Sequence, residues 1–335
     1  MSAPLLSLRH LTVDYATDRG TARAVDSVSL DVASGETVAL VGESGSGKTT
    51  LALSLLGLLP EPPARVAPES RIEYQGANLA GGDNASWRRV RGREMGMVFQ
   101  DPSLSLNPVL TVGSQVAEVV RTHSKCTRRE ATTRAAELLA MVGVDSPALR
   151  ARQYAHQLSG GLRQRAMIAI ALAGEPKLLI ADEPTAALDV TVQAQIVELL
   201  AELRRRLGMA VLLVTHDFGL VAQMADRVVV MYAGQVAEMA PAPVVFSGAA
   251  HPYTQGLLLA ARGGAGSAER RLAAIPGAPP AATAWPSACR FHPRCARAWN
   301  HCRAEAPQLE RVSEGHDARC WLVSEPAGET GGRPS

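Results

Sequence analysis

Apolar positions along the chain follow two periods, and their alternation predicts a mixed α/β protein. From Leu6 to Val13 apolar and polar residues alternate, as in a strand with one buried face. That run leads to Tyr15, and Thr17 to Thr21 predict a hairpin tip. Val25 to Val32 and Glu36 to Val41 predict two more strands around a turn at Ser34-Gly35, and Arg71 to Tyr74 and Met95 to Phe99 predict short ones. Lys177 to Ala181, Ala210 to Val214 and Val228 to Tyr232 are nearly unbroken apolar runs, which suit a parallel sheet covered on both faces. Between them the period becomes helical. A helix is predicted from Lys48 to Leu59, stopped by Pro60. A helical insert runs from Thr111 to about Gly174, within which Thr127-Arg128-Arg129-Glu130 fits a capping box before Ala131 to Val142, with Gly143 as its stop. Further helices are expected from Ala166 to Ala173 and from Thr191 to Leu207. Gln235 to Glu238 forms a hairpin with the preceding strand that closes the first domain, and a short helix starts at His251 and ends near Ala261.

The joint between the strand ending at Val41 and the helix starting near Lys48 carries the most specific chemistry. It reads Gly42-Glu43-Ser44-Gly45-Ser46-Gly47-Lys48-Thr49-Thr50, the pattern G-x-x-x-x-G-K-[ST] in its strand-to-helix context. Glycines let the backbone turn tightly enough to aim N–H groups at phosphate oxygens, and the helix adds its positive dipole end. Lys48 is expected to reach the β- and γ-phosphates, and the Thr49 hydroxyl to ligate Mg²⁺. Lysine occurs only at 48, 125 and 177, the remaining positive charge being arginine, so a lysine at the cradle points to a need for a flexible point charge.

Other segments gain meaning from that cradle. Gln100 follows a strand, where in isolation a glutamine is an ordinary loop residue. Ser159-Gly160-Gly161 precedes a helix and makes a second anion-binding N-terminus, which suggests service to another subunit's nucleotide. Asp182 and Glu183 end an apolar strand, where parallel sheets place ligands; Asp182 can hold Mg²⁺ through water and Glu183 can polarise the attacking water. Asp189 follows, and His216 ends the next strand. Tyr15 is either a sheet-edge aromatic or a platform for adenine.

Taken in order, the cradle, Gln100, Leu158-Ser159-Gly160-Gly161, Ile180-Ala181-Asp182-Glu183, Asp189 and His216 resemble the ATP-binding cassette ATPases over roughly residues 5 to 240. The resemblance implies a P-loop NTPase fold with a RecA-like core, an antiparallel β subdomain and a helical subdomain. It makes Tyr15 the A-loop aromatic, Thr49, Gln100 and Asp182 the Mg²⁺ site, Glu183 the catalytic base, and His216 a contact to the γ-phosphate. In that family two cassettes pair head to tail, so that Ser159, Gly160, Gly161 and Asp189 face the partner's ATP. The run from Glu183 to Gln195, Leu162 in the signature, His251-Pro252-Tyr253-Thr254 and a Cys-bearing tail look like the oligopeptide/dipeptide/nickel importer ATPases, in their D-type form. Leu162 stands where the commoner signature has Gln.

That narrower resemblance implies a second, F-type ATPase subunit, two transmembrane permease subunits and an extracytoplasmic substrate-binding protein, with cargo of di- or oligopeptides, or alternatively nickel or another small solute. A cassette ATPase acting on DNA or ribosomes usually carries two cassettes or a long insert between Gln100 and Leu158; here the insert is modest. The expected organisation is an ATPase domain at 1–240 with its helical subdomain at about 101–175, a linker with a short helix at 241–286, a Cys-rich extension at 287–323, and a disordered terminus at 324–335.

Composition removes some alternatives. A formal charge of +2 over 335 residues leaves no footprint for nucleic acid. No run reaches the roughly 18 apolar residues of a membrane span, and Met1 to His10 lacks a signal-peptide pattern, so a cytoplasmic chain is expected; the importer resemblance implies a peripheral place on the cytoplasmic face of the inner membrane. Cys289, Cys295, Cys302 and Cys320 are separated by five, six and seventeen residues, with no C-x-x-C. Four thiolates can hold a [4Fe–4S] cluster or Zn²⁺, or remain reduced thiols, and spacing alone does not choose. The resemblance favours the cluster.

Overall fold

The computed structural model describes residues 3–186, 188–263 and 275–324. Ala187 in the Glu183–Gln195 match, the 264–274 part of the expected linker and residues 325–335 of the expected disordered terminus lie outside them. The chain divides into two compact units. One comprises residues 1–4, 32–36 and 82–213; the other comprises 5–31, 37–81 and 214–335.

In the first unit, strands Met95–Val98 and Leu178–Asp182 pair in parallel, with Val98 opposite Ala181, and Ala210–Thr215 lies on the other side of Leu178–Asp182. Every residue of the last two strands is buried, as their unbroken apolar runs require. Helices Val112–His123, Arg128–Met141 and Gly160–Leu172 make up the insert. The capping box forms in full: the Glu130 N–H donates to Thr127 Oγ1 at 3.3 Å and the Thr127 N–H donates to Glu130 Oε2 at 2.7 Å. The helix at 160 begins earlier than its apolar pattern suggested because Ser159 caps it. A helix at Asn84–Val90, capped by Asp83, lacks a strong apolar stripe and went unpredicted.

The second unit holds an antiparallel sheet in which the hairpin Leu6–Thr17 and Gly20–Val32 meets Arg71–Tyr74, with Leu6 opposite Tyr74 and Leu8 opposite Ile72. Short strand Ala64–Val66 pairs with the far end of Leu6–Thr17, placing Ala64 opposite Tyr15. Thr37–Val41, wholly buried, lies parallel to Arg227–Tyr232, which turns back into Gln235–Pro241. The helix after the cradle is shorter than predicted, ending at Ser54, because Gly57 takes a left-handed φ of 57° before Pro60 is reached.

The C-terminal segment differs most from expectation. Gln235–Pro241 is not an edge: His316–Ala318 pairs with it, Ala318 opposite Glu238, and Glu310–Ser313 adds a further strand. The described part of the expected linker is packed as well. The Arg23 N–H donates to the Ala282 carbonyl, and Trp285 covers Gly234 while stacking under the Arg290 guanidinium. Tyr232, Tyr253 and Phe291 form an aromatic cluster with centroids 4.6 to 5.4 Å apart, so the Cys-bearing extension shares a core with the sheet beside the cradle.

Candidate functional site

The cradle is built by close backbone approach. Gly42 has φ 151° and a Cβ there would stand 2.2 Å from the Met231 carbonyl oxygen; at Gly47, φ 100°, it would stand 2.3 Å from that of Ala24. Both positions exclude every other residue. Lys48 is buried at 6% exposure and its Nζ donates to the carbonyls of Gly42 at 2.8 Å and Glu43 at 2.9 Å. Ser46 is buried with its Oγ unpartnered, Ser44, Gly45 and Thr49 are exposed, and Thr50 is half-buried. A lysine, glycine-spaced N–H groups and an orphan hydroxyl at a helix start fit a polyphosphate. Glu43 reaches away from this group, to Arg294 and Tyr253. Tyr15 is half-buried near the end of its strand.

In the first unit, parallel register does the positioning. Val98 lies opposite Ala181, so Gln100 and Glu183, each two residues further on, emerge at the same sheet end. Gln100 Nε2 donates to Glu183 Oε2 at 3.1 Å. Asp182 is buried at 2% exposure, and Glu183 sits at φ 45°, a left-handed turn that takes the carboxylate off the strand.

Ser159 caps a 13-residue helix, and Gly160 and Gly161 form its first turn. A Cβ on Gly161 would meet Val192 Cγ1 at 2.9 Å, and one on Gly160 would meet Leu188 Cδ2 at 3.6 Å, so the signature turn lies against the loop that follows Glu183. Asp189 accepts from the Val192 N–H at 3.0 Å and starts helix Val190–Leu207. His216 is exposed just beyond its strand, and Asp217 caps the following helix through the N–H groups of Gly219 and Leu220.

Two residues within the quoted motifs have supporting roles that sequence reasoning did not assign. Gln193 Nε2 donates to the carbonyls of Thr185 and Leu188, tying the loop at both ends. Arg163 donates through Nε to the carbonyls of Ala155 and Leu158 and through Nη1 to Ser103, which ties the signature turn to the segment after Gln100. Their sequence signal is membership of those motifs.

Cys289, Cys295, Cys302 and Cys320 line one cavity of about 10 Å³ together with Trp299 and Trp321. All four are free thiols. Burial pushes Cys289 up to about 11 and Cys320 up to about 12, and raises Cys295, with the neighbouring thiols adding to each shift. Without a cation these sulfurs stay protonated at neutral pH, and a metal would supply the charge that ionises them. Four convergent sulfurs fit a thiolate-bound centre by donor type. Among the described residues, no group of His, Cys, Asp and Glu stands in a ligating arrangement.

A glycine cradle between strand and helix, with a strand-end carboxylate pair and a glycine-rich helix start, defines a P-loop ATPase of the cassette type. Family models agree: residues 25–186 match the ABC transporter family, and residues 237–302 match the oligopeptide/dipeptide transporter C-terminal region. Over 327 residues the chain is 46% identical to the dipeptide transport ATP-binding protein DppD of Escherichia coli (strain K12), covering 97% of this chain and 98% of that one. Among solved structures, the dimeric cassette MJ0796 bound to ADP and Pi superposes with a TM-score of 0.64 at 29% identity, covering 71% of this chain and 98% of that one. CbiO1 of Clostridium perfringens, part of the transporter complex cbiONQ, gives 0.62 at 29% identity, with 74% and 92% covered. The chain belongs to the ATP-binding subunits of ABC transporters, in the oligopeptide/dipeptide branch, and it is an ATPase. Among the described residues, no helix is long and apolar enough to cross a membrane.

Proposed function

We propose that this chain hydrolyses ATP to drive uptake of di- or oligopeptides, at the cytoplasmic face of the membrane and beside a second, F-type ATPase subunit. Two permease subunits would form the path and an extracytoplasmic binding protein would deliver cargo. Gly42 to Thr50 hold the triphosphate, with Lys48 on the β- and γ-phosphates; Tyr15 stacks on adenine; Thr49, Asp182 and Gln100 serve Mg²⁺. Glu183 orients the attacking water and takes its proton, and His216 meets the γ-phosphate. Ser159, Gly160, Gly161 and Asp189 serve the partner's nucleotide. ATP binding closes the pair and hydrolysis reopens it.

The observation that carries this reading is the 3.1 Å bond from Gln100 to Glu183, because it links the base to the segment that leads into the helical insert. Leu104 and Val109, 86% and 75% exposed in that segment, offer apolar contacts for a permease. In the Cys-bearing extension, Cys289, Cys295, Cys302 and Cys320 would hold a [4Fe–4S] cluster, with Zn²⁺ as the alternative. A bound centre there would cross-link four separate positions of the tail.

The test is Glu183→Gln in the assembled transporter. ATP binding is retained and turnover falls about 10³-fold, within the range for a general base; unchanged turnover overturns the assignment. Anaerobic purification with iron, sulfide and zinc assays decides the centre, with Cys→Ser variants as controls.

A further inference from the structure

Glu43 of the cradle is held through both its backbone and its carboxylate. Its carbonyl accepts from Lys48 Nζ at 2.9 Å, beside the bond of the same Nζ to the Gly42 carbonyl at 2.8 Å. Its N–H donates to the Tyr253 hydroxyl at 2.8 Å, and its carboxylate receives a two-pronged bond from Arg294, Nη1 to Oε2 at 2.5 Å and Nη2 to Oε1 at 2.9 Å. Arg294 belongs to the short helical turn between Cys289 and Cys295. Its side chain is 4% exposed, donates through Nε to the Pro276 carbonyl at 2.9 Å, and lies over the Tyr232 ring at 5.8 Å. Tyr253 is fully buried in the same aromatic cluster.

We propose that the Cys-bearing C-terminal segment, through Arg294, and the helix Pro252–Gly263 before it, through Tyr253, position the phosphate loop and so set the affinity for ATP, a claim that rests on the reading of Gly42 to Thr50 as the triphosphate site. Two physical effects support it. A planar guanidinium fork fixes the carboxylate in orientation as well as distance, so it fixes the carbonyl that holds Lys48. It also neutralises a carboxylate carried by the loop itself, whose charge would otherwise act against a bound phosphate. Arg294 is a positioning residue here, acting through Glu43.

The test is equilibrium binding of mant-ATP to the full chain, with KM and kcat for ATP measured in the assembled transporter. Arg294→Ala is expected to weaken mant-ATP binding about 10-fold, in line with the loss of charged hydrogen bonds, raising KM with kcat little changed. Arg294→Lys restores the charge but not the fork and recovers part of the loss. Adding Glu43→Gln to Arg294→Ala removes the stranded carboxylate and also recovers part. Tyr253→Phe, which deletes only the hydroxyl, weakens binding about threefold. Binding by Arg294→Ala within about twofold of the parent, while Lys48→Ala loses it, overturns the proposal and leaves the cradle reading intact. Further weakening in the double variant also overturns it. Normal binding by Lys48→Ala overturns the cradle reading and this proposal with it. Should Arg294→Ala not fold, Arg294→Lys and Tyr253→Phe carry the test, and parental affinity in both refutes it.

Discussion

Glu238→Ala should detach the C-terminal extension from the sheet and destabilise the protein. Glu238 is fully buried in the strand Gln235–Pro241. Its Oε1 accepts from His316 Nε2 at 2.7 Å and from the Ala250 N–H at 2.6 Å, and its Oε2 accepts from the His251 N–H at 3.0 Å. One carboxylate thus joins the sheet, the start of helix Pro252–Gly263 and the tail strand His316–Ala318. Alanine leaves the donors of His251 and His316, both buried, without a partner, while the half-buried Ala250 N–H can turn to water. At about 1–3 kcal/mol for each buried orphan the cost is about 4 kcal/mol, a large share of the 5–15 kcal/mol that holds a domain. Glu238→Gln keeps the volume and one acceptor oxygen and should cost about 1–2 kcal/mol. Urea unfolding of the full chain, followed by tryptophan fluorescence, to which Trp299 and Trp321 of the extension contribute beside Trp87 and Trp285, reads the difference. The midpoint should fall by on the order of 1 M for alanine, given slopes of a few kcal/mol per molar. A midpoint indistinguishable from the parent's would refute the reasoning, because it would mean that the three donors need no common acceptor.

Gly42→Ala should abolish nucleotide binding while secondary structure is retained, since the new Cβ meets the Met231 carbonyl oxygen at 2.2 Å; isothermal titration with ATP checks it, and normal affinity would contradict the close approach. Burial lowers His251 to about 4, against the opposing pull of Glu238. Its Nδ1 accepts from the Tyr253 N–H at 3.0 Å, so protonation breaks that bond. The unfolded chain binds this proton below about pH 6.5 and the native chain does not, so stability is complete above that pH and falls by about 3 kcal/mol toward pH 4. Denaturant midpoints across pH 4 to 7 for the parent and His251→Gln give the comparison; equal slopes would sink the assignment.

Much of the site was legible in the chain because its chemistry is local. Gly42, Gly47 and Lys48 act on backbone within a few residues or demand a conformation only glycine takes, so spacing reveals them. Thr127 caps a helix that starts one residue later, and its capping box reads directly, whereas the caps at Ser159 and Asp189 emerged only in the structure. The buried strands announced themselves as apolar runs. Helix Asn84–Val90 and strand Ala64–Val66 did not, being too short for either period to show.

The sequence alone determined the ATPase cradle, the parallel strands and the order of the loops, since each depends on residues close together in the chain. Tertiary structure alone decided which distant residues meet. Strand register set Gln100 against Glu183 across 83 positions, and edge pairing brought the extension onto Gln235–Pro241. That pairing leaves no periodic trace, because any edge strand with free backbone groups can accept a partner. From it follow the burial of Glu238, the fork of Arg294 on Glu43 and the convergence of four cysteines on one cavity. Each of these joins charges or sulfurs whose value lies in being desolvated together, and desolvation is a property of the packed chain.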